Sequence, residues 1–96
     1  MTTKKLTAYN EANEREIESM VGKAMCAYAN WQGELKALYA AKSDTARTLA
    51  KQGAIAYKNE YEATVRCIDM FVRENVYEIQ HIVKGRAEVE FGIEAA

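Results

Sequence analysis

The chain has 96 residues, of which 49% are hydrophobic and 28% are charged, a composition typical of one ordinary globular domain. Thirteen basic and 14 acidic residues give a net charge of −1, so no overall charge attracts the protein to nucleic acid or to an anionic membrane. We find no run of about 18 apolar residues and no apolar stretch behind the N-terminal residues. We therefore expect no membrane segment, no signal peptide and a cytoplasmic location, in a bacterium or an infected cell.

The first predicted element is a long helix over residues 8–42, with Thr7 as its N-cap. Its apolar residues recur at alternating spacings of four and three, the heptad pattern that lays side chains along one side of a helix. Such a side packs against another helix. The predicted packing seam consists of Ile17, Val21, Ala24, Tyr28, Trp31, Leu35 and Leu38.

The opposite side of this helix carries small residues in place of the usual long polar ones. Each Gly in a helix interior costs about 1 kcal/mol relative to Ala, so Gly22 and Gly33 favour the close approach of another helix. We therefore predict an interface on this small-residue face, and the face is formed by Gly22, Cys26, Ala29, Gly33, Ala37 and Ala40.

A turn is predicted at Ser43-Asp44-Thr45, because each of these side chains can cap a new helix. A second long helix is then predicted over residues 45–84, antiparallel to the first, with Gly53 as a position where it can break. One continuous rod is the alternative reading. The apolar stripe of the second helix comprises Leu49, Tyr57, Tyr61, Val65, Ile68, Val72, Val76, Ile79 and Val83.

Gly85 is predicted to end the second helix. Apolar residues then alternate with charged residues or Gly, which is the period of a strand. We expect a short extended segment over residues 85–96 that pairs with residues 2–8, with the tail of another copy or with the sheet edge of another protein. A frayed tail is the alternative. The apolar residues of this segment that join the predicted interface are Val89, Phe91 and Ile93.

A second contact surface is predicted at Ile55, Met70 and Tyr77, because all three are expected to face away from the packing seam.

Candidate chemistry is sparse. Glu78 and His81 have the Glu-x-x-His spacing of helical metal sites, but both are expected to face outward, so metal binding through them is our least favoured hypothesis. The only histidine is this one, and Cys26 and Cys67 are expected to be free thiols without a neighbouring base. We therefore expect a protein that is not an enzyme and that needs no cofactor or metal.

Basic residues form a stripe on the outside of the second helix, with Tyr77 among them. Glu62 and Asp69 interrupt the stripe and pair in helical spacing with its arginines, which is typical of a solvated face. We therefore expect no nucleic-acid partner. The stripe consists of Lys51, Lys58, Arg66, Arg73 and Lys84.

Trp31-Gln32-Gly33 resembles the Trp-x-Gly turn of the small secreted helical hairpins known as the WXG family. The resemblance covers these three residues and the overall length. It implies a turn at this point, dimerisation through helices, and export as a substrate or partner of a specialised secretion system. The seam, in contrast, continues in register from Trp31 through Leu38 and predicts an uninterrupted helix.

Taken together, these patterns predict a single all-α domain with an N-terminal arm over residues 1–7, assembled as a helical-bundle homodimer. The expected function is a non-enzymatic protein–protein interaction module that binds and modulates or inhibits a larger protein, as compact inhibitors from phage and other mobile elements do. The alternative is a structural or secreted hairpin whose function is its own assembly.

Overall fold

The computed structural model describes residues 5–95. A short 3-10 turn, Glu11–Asn13, leads into three α-helices: α1 is Glu14–Ala40, α2 is Asp44–Asp69 and α3 is Val76–Phe91. Within the described range there is no strand, only one isolated bridge, so the predicted all-α class is confirmed. Residues 1–4 of the predicted arm and the last residue of the predicted tail lie outside the described range.

The first helix begins later than the sequence pattern predicts, and Thr7 is not its N-cap. Asn10 takes that role for the 3-10 turn, because its Oδ1 accepts a hydrogen bond of 3.0 Å from the backbone N–H of Ala12. The backbone N–H of Thr7 donates instead to the Glu74 carboxylate, at 2.7 Å. The chain before residue 10 is therefore tied to the segment between α2 and α3 and does not extend α1.

The turn between α1 and α2 lies where the sequence predicts it. Ser43 has extended backbone angles, and its Oγ accepts a hydrogen bond of 3.1 Å from the N–H of Ala46. Gly53 does not break α2. Residues 31–33 lie inside α1, so the turn that the WXG resemblance implies is not present there.

Contacts between α1 and α2 show that the two helices run antiparallel. The rings of Tyr28 and Tyr61 have centroids 5.8 Å apart, and Lys58 Nζ lies 5.9 Å from the centroid of the Trp31 ring. Farther along, Gly53 lies against the Glu34 side chain. Residues with higher numbers on α1 therefore contact residues with lower numbers on α2, as expected for antiparallel helices.

The prediction of one second helix over residues 45–84 is wrong, because α2 ends at Asp69 and a connector over residues 70–75 leads to α3. Asn75 begins α3, since its Oδ1 accepts a hydrogen bond of 2.8 Å from the N–H of Glu78. Val72 belongs to the connector and is nevertheless buried in the core. Its spacing to Ile68 and Val76 is helical, so the apolar period runs through a segment that is not a helix.

The predicted extended segment over residues 85–96 is also wrong for residues 85–91, because α3 continues through Gly85 to Phe91, whereas residues 93–95 lie outside the helix. The helix ends at Gly92, whose φ of +61° is the left-handed conformation that glycine adopts without strain. Ala87 faces the core and is fully buried, whereas Val89 and Phe91, in the last turn of α3, are exposed, so the alternating residues do not share one buried face.

The N-terminal arm pairs with the connector, and not with the C-terminal tail. Ala8 forms an antiparallel bridge with Val72. The Tyr9 N–H donates to the carbonyl of Phe71 at 3.0 Å, and the Arg73 N–H donates to the carbonyl of Thr7 at 2.9 Å. The arm is thus fixed across the end of the bundle where α2 meets α3.

The core is concentrated in one half of the molecule. With 16 residues, α3 is about 24 Å long, whereas α1 and α2, with 27 and 26, are each about 40 Å. We call residues 32–58, next to the α1–α2 turn, the distal half. The main core lies outside it and consists of Ile17, Val21, Ala24, Met25, Ala27, Tyr28, Tyr61, Val65, Ile68, Val72, Ile79, Val83 and Ala87.

Candidate interaction surfaces

The small-residue face of α1 is uncovered. Cys26 is exposed, as are Gly33, Ala37 and Ala40, while Gly22 and Ala29 are half-buried. A Cβ atom added to Gly22 or Gly33 would meet no atom within 4 Å. No helix of the same chain therefore requires these glycines, and the predicted close approach at this face remains a prediction about a second molecule.

The second group of predicted contact residues is divided between two places. Met70 is the first residue of the connector and Tyr77 follows the connector at the start of α3; they are the most exposed large apolar side chains of the described range, at 75% and 78%. Val89 and Phe91 are exposed at the other end of α3. Ile93 is half-buried and packs against the core of its own chain, so it is less available to a partner than the sequence pattern indicates.

Ile55 is exposed, in agreement with its expected outward orientation. Leu49 and Val76 belong to the predicted apolar stripe but are 63% and 38% exposed. Their positions explain the difference: Leu49 lies in the distal half and Val76 is the first residue of α3. Two further exposed aromatic residues, Tyr9 and Tyr39, were not singled out by the sequence pattern.

An aromatic cluster joins the three helices at the border of the distal half. Trp31 lies 6.0 Å from Tyr28 and 5.8 Å from Tyr61 between ring centroids. Lys58 covers the Trp31 ring, and Lys84 of α3 lies 5.8 Å and 6.0 Å from the two tyrosine centroids. Cations over aromatic faces are attracted by the ring quadrupole, so the cluster fixes α3 to both long helices.

The hydroxyl of Tyr61 is buried and has no hydrogen-bond partner among the described residues. Burial raises the pKa of Tyr61, and the neighbouring Tyr28 and Glu62 raise it further. Burial likewise raises the pKa of Tyr28, with a smaller contribution from the Glu88 carboxylate. Both phenols therefore stay neutral throughout the physiological range. No sequence pattern distinguishes Tyr61 from a satisfied core tyrosine.

Glu78 and His81 do not converge on a common point of the core. Glu78 is half-buried in the first turn of α3, where its backbone N–H is capped by Asn75, and His81 is exposed. Residues 5–95 contain no group of three or more His, Cys, Asp or Glu side chains placed to hold a metal ion. Cys26 and Cys67 are exposed free thiols.

None of the helices in the described range has the length and apolar character needed to cross a membrane. No protein-family model matches the chain, and no curated protein or solved structure matches it either. Hypotheses about function therefore rest on the chain's own surfaces.

Proposed function

We propose that this protein is a non-enzymatic interaction module that self-associates and binds a larger protein, whose activity it modulates or inhibits. The observation that supports the proposal best is the exposure of Met70 and Tyr77 beside an ordered connector. The connector is held by the bridge between Ala8 and Val72 and by the hydrogen bonds around it. Two large apolar side chains on a fixed support form a preorganised contact, which loses little conformational entropy on binding.

The neighbouring arm adds a third apolar group to this surface. Tyr9 is 62% exposed, and the guanidinium of Arg73 lies 5.7 Å from the centroid of its ring. Tyr, Met and Arg are the residue types enriched in protein–protein interfaces. We call Tyr9, Met70, Arg73 and Tyr77 the connector surface and propose that it contacts the larger protein.

The test is affinity capture with purified protein as bait, comparing the wild type with a Met70→Ser/Tyr77→Ser variant. The control is Leu49→Ser, which removes another exposed apolar side chain, near the α1–α2 turn and far from the connector. We expect a specific protein to be retained by the wild type and the control and lost by the double variant. Identical capture by all three baits would contradict a role for the connector surface.

A structural role is the second candidate, and the open small-residue face of α1 favours it. Because Gly22 and Gly33 have free space above them, another helix can approach this face closely, and repeated contacts of this kind can build a filament or ring. Light scattering over a concentration series separates the two candidates. A closed dimer at all concentrations supports the interaction module, whereas open-ended growth supports the structural unit.

A further inference from the structure

The distal half of α1 and α2 has no third helix on it. The helix α3 spans about 24 Å, roughly half of the molecule's longest dimension of 49 Å. Beyond its end, Tyr39 is 72% exposed although it lies only 40° from the centre of the α1 packing seam at 100° per residue. The surface on which α3 lies therefore continues, uncovered, into the distal half.

The side of α1 that carries α3 is identified by an ion pair. Arg86 of α3 contacts Glu18 of α1 with an N–O distance of 3.2 Å. Lys36 follows Glu18 by 18 residues, which is five complete turns. Lys36 thus lies on the same side of α1, about 27 Å farther along, and is exposed.

The corresponding side of α2 follows from two contacts. Lys84 of α3 lies against Tyr61, whereas Gly53 lies against Glu34, which is about 160° around α1 from the side that carries α3. Around the axis of α2, the position of Gly53 is about 80° from that of Tyr61, in the direction away from α3. Lys58 and Lys51 are rotated by about 60° and 80° in the other direction, toward the α3 side.

We call the resulting surface the distal groove. Its base is apolar, since Ala54 is buried and Leu35 is half-buried, and the exposed Tyr39 follows Leu35 by about one turn of α1. Three exposed lysines form its edges, and its residues include no carboxylate. The groove is formed by Leu35, Lys36, Tyr39, Lys51, Ala54 and Lys58.

The end of α3 has the complementary character. Glu88, Glu90 and Glu94 are all exposed, and between them Val89 and Phe91 are 56% and 42% exposed. An acidic and apolar helix end thus lies on the same chain as a basic and apolar groove. The contacts of Lys84 with Tyr28 and Tyr61 place α3 against the part of the bundle that borders the distal half.

We propose that the distal groove binds α3 of a second copy of this chain, in a two-fold symmetric dimer. This inference rests on the self-association included in the proposed function, and it specifies the surfaces that meet. The two α3 helices would lie end to end between the two α1–α2 pairs, with their acidic ends next to the lysines of the partner. Because α1 and α2 are each about 40 Å long and α3 is about 24 Å long, about 16 Å of each α1–α2 pair is left to receive the end of the partner's α3.

Charge reversal on each surface, followed by mixing, tests the pairing. One variant is Lys36→Glu/Lys51→Glu in the groove, and the other is Glu88→Lys/Glu90→Lys on α3. Each variant alone places like charges against each other at both contacts of the symmetric dimer. In a mixed dimer, however, both contacts again join opposite charges. All four positions are exposed, so each variant is expected to keep wild-type helicity by circular dichroism.

Sedimentation velocity measures the dimer Kd, and native mass spectrometry identifies the mixed dimer. We expect a concentration-dependent wild-type dimer, an increase in Kd of about tenfold or more for each variant alone, and a return toward the wild-type Kd on mixing. The matched control is Lys5→Glu/Lys23→Glu, which makes the same change in net charge away from the groove and should leave Kd unchanged.

Other outcomes overturn the inference in distinguishable ways. If Gly33→Leu abolishes the dimer while both charge variants leave it intact, the small-residue face is the interface and self-association stands. If mixing does not restore the dimer, the groove and α3 are not each other's partners. If the wild type is a monomer at every concentration, self-association itself fails, and with it this dimer.

Discussion

Replacing Tyr61 with Phe is predicted to stabilise the protein. The Tyr61 side chain is 2% exposed and its hydroxyl has no hydrogen-bond partner in the described part of the chain. A buried polar group left unsatisfied costs about 1–3 kcal/mol. The ring, which packs against Tyr28 and Trp31 at centroid distances of 5.8 Å, is retained. We therefore expect the free energy of unfolding to rise by about 1 kcal/mol, or about 4–8 °C in Tm.

The same substitution is predicted to change the response to alkaline pH. Burial raises the pKa of Tyr61 in the folded protein, whereas the unfolded side chain titrates near its ordinary value of about 10. Below that value both states hold the proton and Tyr61 contributes no pH dependence. Above it the unfolded state loses its proton first, so stability falls by about 1.4 kcal/mol per pH unit. By pH 11, the advantage of Tyr61→Phe should have grown by about that amount.

Urea unfolding at pH 7 and at pH 11, followed by circular dichroism, measures both effects. Lysines and the remaining tyrosines titrate equally in the two proteins, so the difference between their unfolding free energies isolates Tyr61. Tyr77→Phe is the control. The Tyr77 side chain is 78% exposed, so removing its hydroxyl should change neither the unfolding free energy at pH 7 nor its dependence on pH. A destabilised Tyr61→Phe, or an advantage that does not grow with pH, would refute the reasoning.

Three further predictions concern helix termini and glycines, each measured by thermal or urea unfolding. Gly85→Ala should stabilise by about 1 kcal/mol, because α3 continues through this position and a Cβ there meets nothing within 4 Å; an unchanged Tm would contradict an interior helical position. Gly53→Ala should gain less, since its Cβ would lie 2.6 Å from the Glu34 carboxyl carbon, and adding Glu34→Ala should recover the missing part, whereas strict additivity would rule out this contact. Asn75→Ala should cost about 1 kcal/mol by removing the cap of α3, and Asn75→Asp, which retains the acceptor, should keep most of that stability.

The apolar pattern of the sequence predicted α1 and its inward face well. Ile17, Val21, Ala24 and Tyr28 are all buried. A long helix packed beside another keeps one side against its neighbour along its length, and the heptad spacing of apolar residues identifies that side. The cap at Ser43 was also predictable, since a hydroxyl in a polar interruption has few other structural roles.

The connector was not predictable from periodicity. Val72 is buried in a bridge and Val76 begins a helix, yet both keep the helical spacing of Ile68. The spacing of apolar residues indicates which side chains are buried, but it does not indicate whether the backbone between them forms helical hydrogen bonds. A different signal was present, because Asn75 followed three residues later by Glu78 is the pattern of a capped helix start. That pattern would have located the beginning of α3.

The candidate surfaces were predictable only in part. Outward orientation follows from angular position on a helix, and this identified Ile55, Met70 and Tyr77. The distal groove depends on how far α3 extends along its neighbours. That length is set by the cap at Asn75 and the left-handed Gly92, and no residue spacing by itself distinguishes Lys36 from any other surface lysine.

The attachment of the N-terminal arm has a consequence for the order in which the protein folds. The hydrogen bond from Thr7 to Glu74 joins residues 67 positions apart, so its closure as a first step would carry the entropy of a very long loop. Once the helices have assembled, the arm and the connector are already close together, so forming the hydrogen bond costs little further conformational entropy. The arm should therefore dock last and detach first, and the Tyr9 amide should exchange its hydrogen with solvent earlier than amides in the middle of α1.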